Sequence, residues 1–568
     1  MQSFRKKKKG RKLLLHLNRL TFLSQRPLGA VFFLFFLAAL FGCSSQTTPS
    51  EQTSASSAFS EPAYGDRFVT GSIGEPKNLI PILASDSASQ SIVGMVFNGL
   101  VKYNEKVELT GDLAEGWEIE REGLDIIFHL RRNVRWHDGH PFTADDVVFT
   151  YQKLIDPTIK TPYSGDFERI AHLEKIDEDT VKVTYKEPFS PALSSWGMSI
   201  MPKHLLEKED FNKTSFSRHP IGTGPYRFKR WKTGEFVELE ANPDYFEGRP
   251  YIDGTLYRII PDQATLFLEL RTEGVDSLDL TPLQYQRQTE SDFFRRTYRK
   301  YRYPAFAYTY IGYNLIDPRF RDIRIRKALT LAVNRKEMID GILLGLGREC
   351  TGPFVPESWA YNPEVRPLSY DLEEAKRLLA EAGWRDTDGD GWLDKNGEIF
   401  EFTLITNQGN EQRQMVAELV QRQWQKLGIR VKIRIIEWAA FLSEFIDKKR
   451  FEAFILGWAL SRDPDLYDIW HSSKTREGEF NFIQYKNVEV DRLIEEGRRT
   501  FDQEKRKEIY HRLHRIIYEE QPCTFLYVPD ALPIVHARVK GVKPSPIGIG
   551  YNFIKWYVPK NEQKYVTR

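Results

Sequence analysis

An acidic stretch in the second half of the chain is the clearest candidate for metal chemistry. Residues Arg385–Glu398 read RDTDGDGWLDKNGE and place carboxylates at alternate positions, Asp386, Asp388 and Asp390, followed by Asp394. Oxygen ligands at this spacing suit a hard cation such as Ca²⁺. The stretch therefore indicates a candidate calcium turn, and its surroundings decide which kind of calcium site fits.

The flanking elements exclude a regulatory EF-hand. An EF-hand loop lies between two helices, whereas this stretch follows a helical pattern that stops at Gly383 and precedes a strand pattern at 398–406. The twelfth loop position should be glutamate but is Gly397, and Glu398 comes one residue late. Two alternatives stay open: a single calcium-stapled turn, or a solvated Asp/Gly hairpin without metal.

No other group of residues predicts catalysis or a metal centre. The sequence has no G-x-S-x-G, no H-E-x-x-H and no phosphate-binding P-loop. His137, Asp138 and His140 lie in a turn without a fourth ligand, and His511 and His514 form an i, i+3 pair without a third. We therefore expect a non-enzyme without a catalytic cofactor.

The N-terminus has the pattern of an export signal followed by a lipid attachment site. Residues 1–42 contain nine basic and no acidic side chains, and the apolar run Leu28–Gly42 is too short to favour a membrane-spanning helix. The sequence LFGC resembles a lipobox, which makes Cys43 the expected lipidated residue. An uncleaved signal anchor is the alternative.

Residues 43–65 are rich in serine and threonine and cannot form a core. They predict a flexible tether of roughly 25 Å between the lipid and a folded body. Without residues 1–42 the chain has more acidic than basic residues, which argues against a nucleic-acid partner. The basic and aromatic stretch Phe293–Asn314 is accordingly interpreted as strands with basic outer faces.

Two further cysteines, Cys350 and Cys523, are compatible with one disulfide in an exported protein. Two buried free thiols are the alternative, because a sequence separation says nothing about proximity.

Hydrophobic periodicity predicts an α/β fold. A helix begins at Asp371 as its N-cap and stops at Gly383, a strand covers 398–406, a helix covers 411–428, and an alternating strand covers 429–437. Strand, helix and strand of these lengths form a βαβ unit with a right-handed crossover.

Five segments in consistent order resemble the bacterial family 5 extracellular solute-binding proteins, the peptide and nickel receptors of ABC importers. The resemblance extends from about Arg67 to Pro559. The segments are FHLRRNVRWHDGHPFTADDVVFTYQKL, IGTGPYRFKRWKTGEFVELEANPDYF, YIGYNLIDPRFRDIRIRKALTLAVNR, YDLEEAKRLLAEAGW and FEAFILGWALSRDPDLY.

The resemblance implies a two-lobed, type II periplasmic-binding-protein-like fold with an extra domain inserted in lobe one. Lobe one is expected at 66–310 with the extra domain at about 110–220, lobe two at 311–523, and a return to lobe one at 524–568. The chain is expected to cross between lobes near Tyr310 and Thr524, and the ligand to be enclosed when the lobes close.

By the same resemblance, the ligand site draws on two loops and one tyrosine. Trp458 is the expected ligand-facing aromatic, with core packing as its alternative. The implied ligand-binding residues are Ser85, Asp86, Ser87, Ala88, Ser89, Gly457, Trp458, Ala459, Leu460, Ser461, Asp463 and Tyr527.

One departure from the family pattern bears on the ligand. Peptide receptors of this family have an aspartate shortly after the Gly-Trp pair, where it holds the α-amino group of the ligand. Here Leu460 and Ser461 occupy that place, and Asp463 belongs to the following turn. Because a buried unpaired ammonium group is costly, N-blocked, cyclic or non-peptide ligands gain weight beside free peptides.

The sequence therefore predicts an exported, lipid-anchored, monomeric receptor that captures peptides for an ABC permease and its ATPases. The alternative is an envelope lipoprotein that uses the same fold for sensing or for a non-peptide ligand, without transport.

Overall fold

The computed structural model describes residues 61–565. The predicted signal segment 1–42, Cys43 and most of the predicted tether lie outside the described residues. The strands are, in chain order, β1 Arg67–Ser72, β2 Val101–Tyr103, β3 Leu109–Gly111, β4 Ala114–Glu120, β5 Asp125–Leu130, β6 Ile170–Asp177, β7 Thr180–Tyr185, β8 Tyr226–Lys232, β9 Phe236–Ala241, β10 Gly254–Ile259, β11 Ser277–Asp279, β12 Tyr298–Lys300, β13 Tyr303–Pro304, β14 Ala307–Tyr313, β15 Gly347–Glu349, β16 Asp394–Lys395, β17 Glu398–Ile399, β18 Glu401–Asn407, β19 Arg430–Ile436, β20 Ala453–Ala459, β21 Cys523–Ala531 and β22 Pro533–His536.

The α-helices of the described part are mostly short, and the two longest are the twelfth and the sixteenth. They are α1 Ser87–Val96, α2 Ala144–Leu154, α3 Ser164–Phe167, α4 Ala192–Ser195, α5 Lys203–Leu206, α6 Gln263–Arg271, α7 Asp292–Thr297, α8 Pro318–Arg321, α9 Ile323–Leu331, α10 Arg335–Gly341, α11 Leu372–Glu381, α12 Glu411–Gln425, α13 Trp438–Ala440, α14 Tyr467–Trp470, α15 Val488–Arg499 and α16 Gln503–Glu520.

Two mixed sheets form the frames of two lobes. The sheet of lobe one has the order β12-β22-β11-β1-β10-β9-β8, and the main path of the lobe-two sheet has the order β13-β21-β14-β20-β18-β19. A separate antiparallel sheet, β4-β5-β7-β6, lies within the range 110–220 where the sequence predicts the inserted domain. The architecture is the two-lobed α/β fold that the resemblance implies.

The predicted βαβ unit is present in lobe two. Strands β18 and β19 pair in parallel from Glu401 with Arg430 to Asn407 with Ile436, and α12 connects them. The Asn410 side chain accepts the Arg413 N–H at 2.9 Å and caps the helix. Trp424 is fully buried on the inner face, so the apolar period of the sequence sets which side of α12 faces the sheet.

The crossings between lobes differ from the predicted positions. The chain leaves the lobe-one sheet after β12 and enters the lobe-two sheet at β13, and it returns between β21 and β22. The predicted crossings near Tyr310 and Thr524 therefore fall inside strands of lobe two. Both strands are rich in apolar and aromatic residues around the predicted positions, so their local pattern does not mark the true crossing.

The two remaining cysteines are free and buried in the structure. Burial raises the pKa of the Cys350 thiol to about 12, so it is neutral and inert at physiological pH. Within residues 61–565, no helix combines the length and apolar character that crossing a bilayer requires.

Candidate functional site

A cavity of about 1570 Å³ lies between the two lobes. This volume exceeds the roughly 300–1,000 Å³ of a typical small-molecule pocket. Its walls come from α1 and the lobe-one sheet on one side and from β20 and the segment after it on the other. The cavity therefore has room for a ligand of several residues and is completed only when both lobes contribute.

Three of the five predicted residues in the lobe-one loop line this cavity. Ser85, Asp86 and Ser87 contact it, whereas Ala88 and Ser89 lie behind them and are buried. The Asp86 carboxylate caps α1 by accepting the Ser89 N–H at 3.0 Å. The Ser89 hydroxyl in turn accepts the Lys77 N–H at 2.8 Å, so this serine holds the loop rather than the ligand.

The lobe-two wall carries Trp458 as the sequence predicts. Its ring stacks on Phe482 at 5.2 Å and 8°, and it meets Phe480 edge to face at 5.2 Å. Phe480 also contacts Tyr163 of lobe one at 5.4 Å. The indole is thus held by aromatic neighbours and also lines the cavity, so its role as a ligand-facing residue stays a prediction.

Asp463, the first acid after Trp458, is not free to hold an amino group. Gly457, Ala459, Leu460, Ser461 and Asp463 all line the cavity. Both carboxylate oxygens of Asp463 accept hydrogen bonds from buried Arg506, at 2.6 and 2.8 Å. Asp463 therefore already has a cation partner inside the protein.

Tyr527 does not line the cavity, and this corrects the site that the resemblance implies. It is buried in the lobe-two core and lies opposite Thr309 where β21 pairs with β14. The register between β14 and β21 shifts at this point, so Leu526 and Tyr527 both pack into the core behind the sheet instead of alternating between its faces.

Arg413 is a cavity residue that the sequence analysis did not identify. One of its guanidinium nitrogens donates to Asn407 Oδ1 at 2.8 Å, and no carboxylate lies within ion-pair distance among the described residues. Gly457 leaves room for it, because a Cβ there would lie 3.1 Å from Arg413 Nη2. Burial lowers the pKa of Arg413, yet an arginine stays charged. The cavity thus contains a cation without a counter-ion.

Most other charged groups of the cavity are paired. Asp447 pairs with Lys77 of lobe one, and Glu247 pairs with Lys102 at 2.6 Å. Asp166 of lobe one pairs with the buried Arg498 of lobe two. These pairs leave few charges for a ligand to neutralise.

The acidic turn lies between α11 and β18, and none of its four aspartates lines the cavity. Asp386, Asp388 and Asp390 place carboxylate oxygens within 4.8 Å of one another. Asp394 instead accepts hydrogen bonds from the Thr387 backbone and hydroxyl, at 2.9 and 2.8 Å. Three of the four predicted ligands therefore come together, and both alternatives for this turn stay predictions.

Comparison with known proteins identifies the family. The profile of the bacterial extracellular solute-binding proteins, family 5 Middle, matches residues 108–479. The chain belongs to this family. Its members are substrate-binding receptors found outside the cytoplasm, and this family 5 protein shares their fold as well as their sequence pattern.

Individual relatives match over most of their length. The family 5 chain is 36% identical over 533 residues to the oligopeptide-binding protein AppA of Bacillus subtilis, covering 92% of this chain and 97% of AppA. The structure of Bacillus subtilis AppA with a nonapeptide has a TM-score of 0.84 and is covered completely, over 88% of this chain. NikZ of Campylobacter jejuni with Ni(L-His) has a TM-score of 0.79 at 28% identity, covering 87% of this chain and 99% of NikZ.

Proposed function

We propose that the protein captures peptides between its two lobes and delivers them to the permease of an ABC importer. The observation that carries the proposal is the interlobe cavity of about 1570 Å³, which has an aromatic wall at Trp458 and an unpaired cation at Arg413. Its size suits an extended chain of several residues rather than a single amino acid. The relative AppA, described as oligopeptide-binding and solved with a nonapeptide, supports the same class of ligand.

Arg413 supplies a partner for a carboxylate of the peptide. A guanidinium group binds carboxylates through paired, charge-assisted hydrogen bonds. Because Asn407 is its only side-chain partner among residues 61–565, a ligand carboxylate would neutralise Arg413 inside the cavity. We therefore expect a free C-terminal acid or an acidic side chain to contribute to affinity.

Calorimetry with peptides of graded length tests the proposal. We expect peptides of several residues to bind, and a peptide amide to bind about 10- to 100-fold more weakly than its free acid when Arg413 holds the C-terminus. Arg413→Met should abolish that difference, and Arg422→Met, on the outer part of α12, should leave it intact. If no peptide binds and mass spectrometry of the purified protein finds no peptide, the proposal is wrong.

The proposed location is the outer surface of a bacterial membrane, with Cys43 lipidated and residues 43–65 acting as the tether. The body alone supplies both walls of the cavity, so a monomer suffices for binding. Cys43→Ser should release the protein from the membrane fraction or leave it with the signal segment attached. A variant with the membrane association and mature mass of the wild type would contradict the lipid anchor.

A non-peptide ligand is the second candidate, and the likeness to NikZ with Ni(L-His) favours it. Sensing without transport belongs to the same alternative. A strain lacking the protein should lose uptake of a labelled peptide if the protein feeds an importer. Unchanged uptake, combined with tight binding of a non-peptide solute by the purified body, would favour the alternative.

A further inference from the structure

A second unpaired charge lies on the opposite wall of the cavity, at Asp279. It is the last residue of β11 in lobe one, opposite Pro533 of β22, and both residues line the cavity. The residue is exposed, in contrast to its buried neighbours Leu278 and Leu280. Its exposed surface is therefore available to a ligand between the lobes.

Asp279 differs from most other acids of the cavity in having no partner. Asp447 pairs with Lys77, Asp463 with Arg506 and Asp166 with Arg498. In the described part of the chain, the Asp279 carboxylate makes no hydrogen bond and no ion pair. The cavity leaves the Asp279 surface accessible, but the surrounding protein atoms desolvate the carboxylate and raise its pKa, and no nearby cation opposes that effect.

The surroundings of Asp279 add negative rather than positive charge. Burial raises the pKa of Tyr257 in the lobe-one wall, and the charges of both Asp86 and Asp279 raise it further. Burial and then Asp279 have the same effect on Tyr303. Two carboxylates thus act on one tyrosine hydroxyl, and Asp86 is already committed to capping α1. The local field favours a cation at Asp279.

We infer that Asp279 binds a positively charged group of the ligand, an ammonium or a guanidinium. The inference rests on the proposed function, since it assigns one end of the ligand that the cavity encloses. A carboxylate left unpaired in a closed cavity is costly, and a ligand cation would offset that cost. With Arg413 on the lobe-two wall, the cavity presents an unpaired carboxylate and an unpaired guanidinium to a dipolar ligand.

This assignment also explains how the protein tolerates the missing aspartate after Trp458. Asp463 is the acid nearest to that place in the sequence, and Arg506 occupies it. Asp279 comes from the other lobe, so Asp279 and Arg413 face one enclosed ligand together only when the lobes are closed.

Calorimetry on Asp279→Asn with matched peptides tests the inference. One peptide pair differs by acetylation of the α-amino group, and a second pair replaces a lysine by norleucine. We expect the substitution to weaken binding of the cationic member of one pair by about 10- to 100-fold and its neutral match by less than about threefold. The pair that responds tells whether the cation is the terminus or a side chain.

Asp244→Asn is the matched control, because Asp244 is an exposed carboxylate that pairs with Arg227 outside the cavity. It should leave every affinity unchanged, and the melting temperature of both variants should verify folding. Equal loss for cationic and neutral members, or no loss for either, would overturn the inference.

Failure of the proposed function gives a different result. In that case the wild type binds none of the peptides, and the inference is then judged with the diamine cadaverine as the probe. A rise in melting temperature with cadaverine in the wild type, absent in Asp279→Asn, would still support Asp279 as a cation site. No rise in the wild type would overturn it.

Discussion

At the scale of single residues, Trp458 lines the cavity and also packs against aromatic neighbours, and truncating it tests whether it contacts the ligand. Trp458→Ala removes an indole that lines the cavity while Phe480 and Phe482 keep their places in lobe two. We expect ligand affinity to fall by about 100-fold, roughly 2.7 kcal/mol, with a small decrease in melting temperature because the side chain is only half-buried.

Trp392→Ala is the control for the loss of a large aromatic side chain. Trp392 lies on the acidic turn, where Arg430 covers its ring at 4.6 Å, and it does not line the cavity. Calorimetry should give the wild-type affinity for this variant. If the Trp458 and Trp392 variants lose affinity equally, the indole acts through stability and not through contact.

The sequence predicted some site residues and missed others for a physical reason. The loop at 85–89 and the segment at 457–463 were expected at the cavity from the family resemblance alone, and most of their residues line it. Arg413 and Asp279 have no local signature in the sequence. What distinguishes them is that, among the described residues of the folded chain, no oppositely charged side chain pairs with them. The resemblance implied Tyr527 at the cavity, but a register shift between β14 and β21 turns it, together with Leu526, into the core behind the sheet, and no local pattern of the sequence marks that shift.

At the scale of elements, the helix ends expected from local sequence are present in the structure. The crossings between the lobes lie elsewhere than the sequence analysis placed them. Asp371 caps α11 by accepting the Glu374 N–H at 2.9 Å, and Gly383 has the positive φ of 91° that ends a helix. Both features depend on neighbours in sequence. The exit from lobe one at β12–β13 depends on which sheet a strand joins, and the sequence does not contain that pairing in local form.

Helix α16 contributes a buried histidine that makes stability depend on pH. His514 is fully buried, accepts the Asn362 N–H at 3.2 Å and lies 3.1 Å from Thr351 Oγ1. Burial lowers its pKa to about 3 from an ordinary value of 6.5. The neutral form therefore favours folding above pH 6.5, and this contribution is lost as the pH falls from 6.5 towards 3.

We expect the free energy of unfolding, measured by denaturant titration, to decrease between pH 6.5 and pH 4. This group contributes up to about 1.4 kcal/mol per pH unit to that decrease. His514→Gln should be less stable at pH 7 and should have a shallower slope, with His137 as a remaining contributor because burial lowers its pKa to about 4. His172→Gln, at an exposed site, is the control. A wild-type slope in the His514 variant would contradict the assignment.

At the scale of the whole molecule, an ion pair between Arg498 and Asp166 joins the two lobes beside the ligand cavity. Arg498 of α15 is 2% exposed, pairs with Asp166 of lobe one and lies 3.2 Å from Asp465 of lobe two. The lobes approach so closely that a Cβ at Gly165 would lie 2.3 Å from Asp468 Oδ1. Burial raises the pKa of Asp166 more than the charge of Arg498 lowers it, so without this arginine the carboxylate would be still less stable in its charged form when the lobes are closed.

Arg498→Met should therefore shift the protein towards the open form. Closure would bury Asp166 against Asp465 without a cation, and an unpaired buried charge costs about 3–5 kcal/mol. We expect affinity for every ligand to fall by at least about 100-fold, whatever its charge, and the radius of gyration with ligand to stay near that of the free protein in X-ray scattering. Asp279→Asn, in contrast, should affect cationic ligands alone.

Arg492→Met on the same helix is the matched control. Arg492 is exposed and pairs only within α15, with Glu489 and Glu496 at 2.8 and 2.7 Å. Surface pairs of this kind contribute less than about 1 kcal/mol, so closure and affinity should be unchanged. If the Arg498 variant closes normally around its ligand, contacts within the cavity hold the lobes together. The Arg498–Asp166 ion pair then forms on closure without stabilising it.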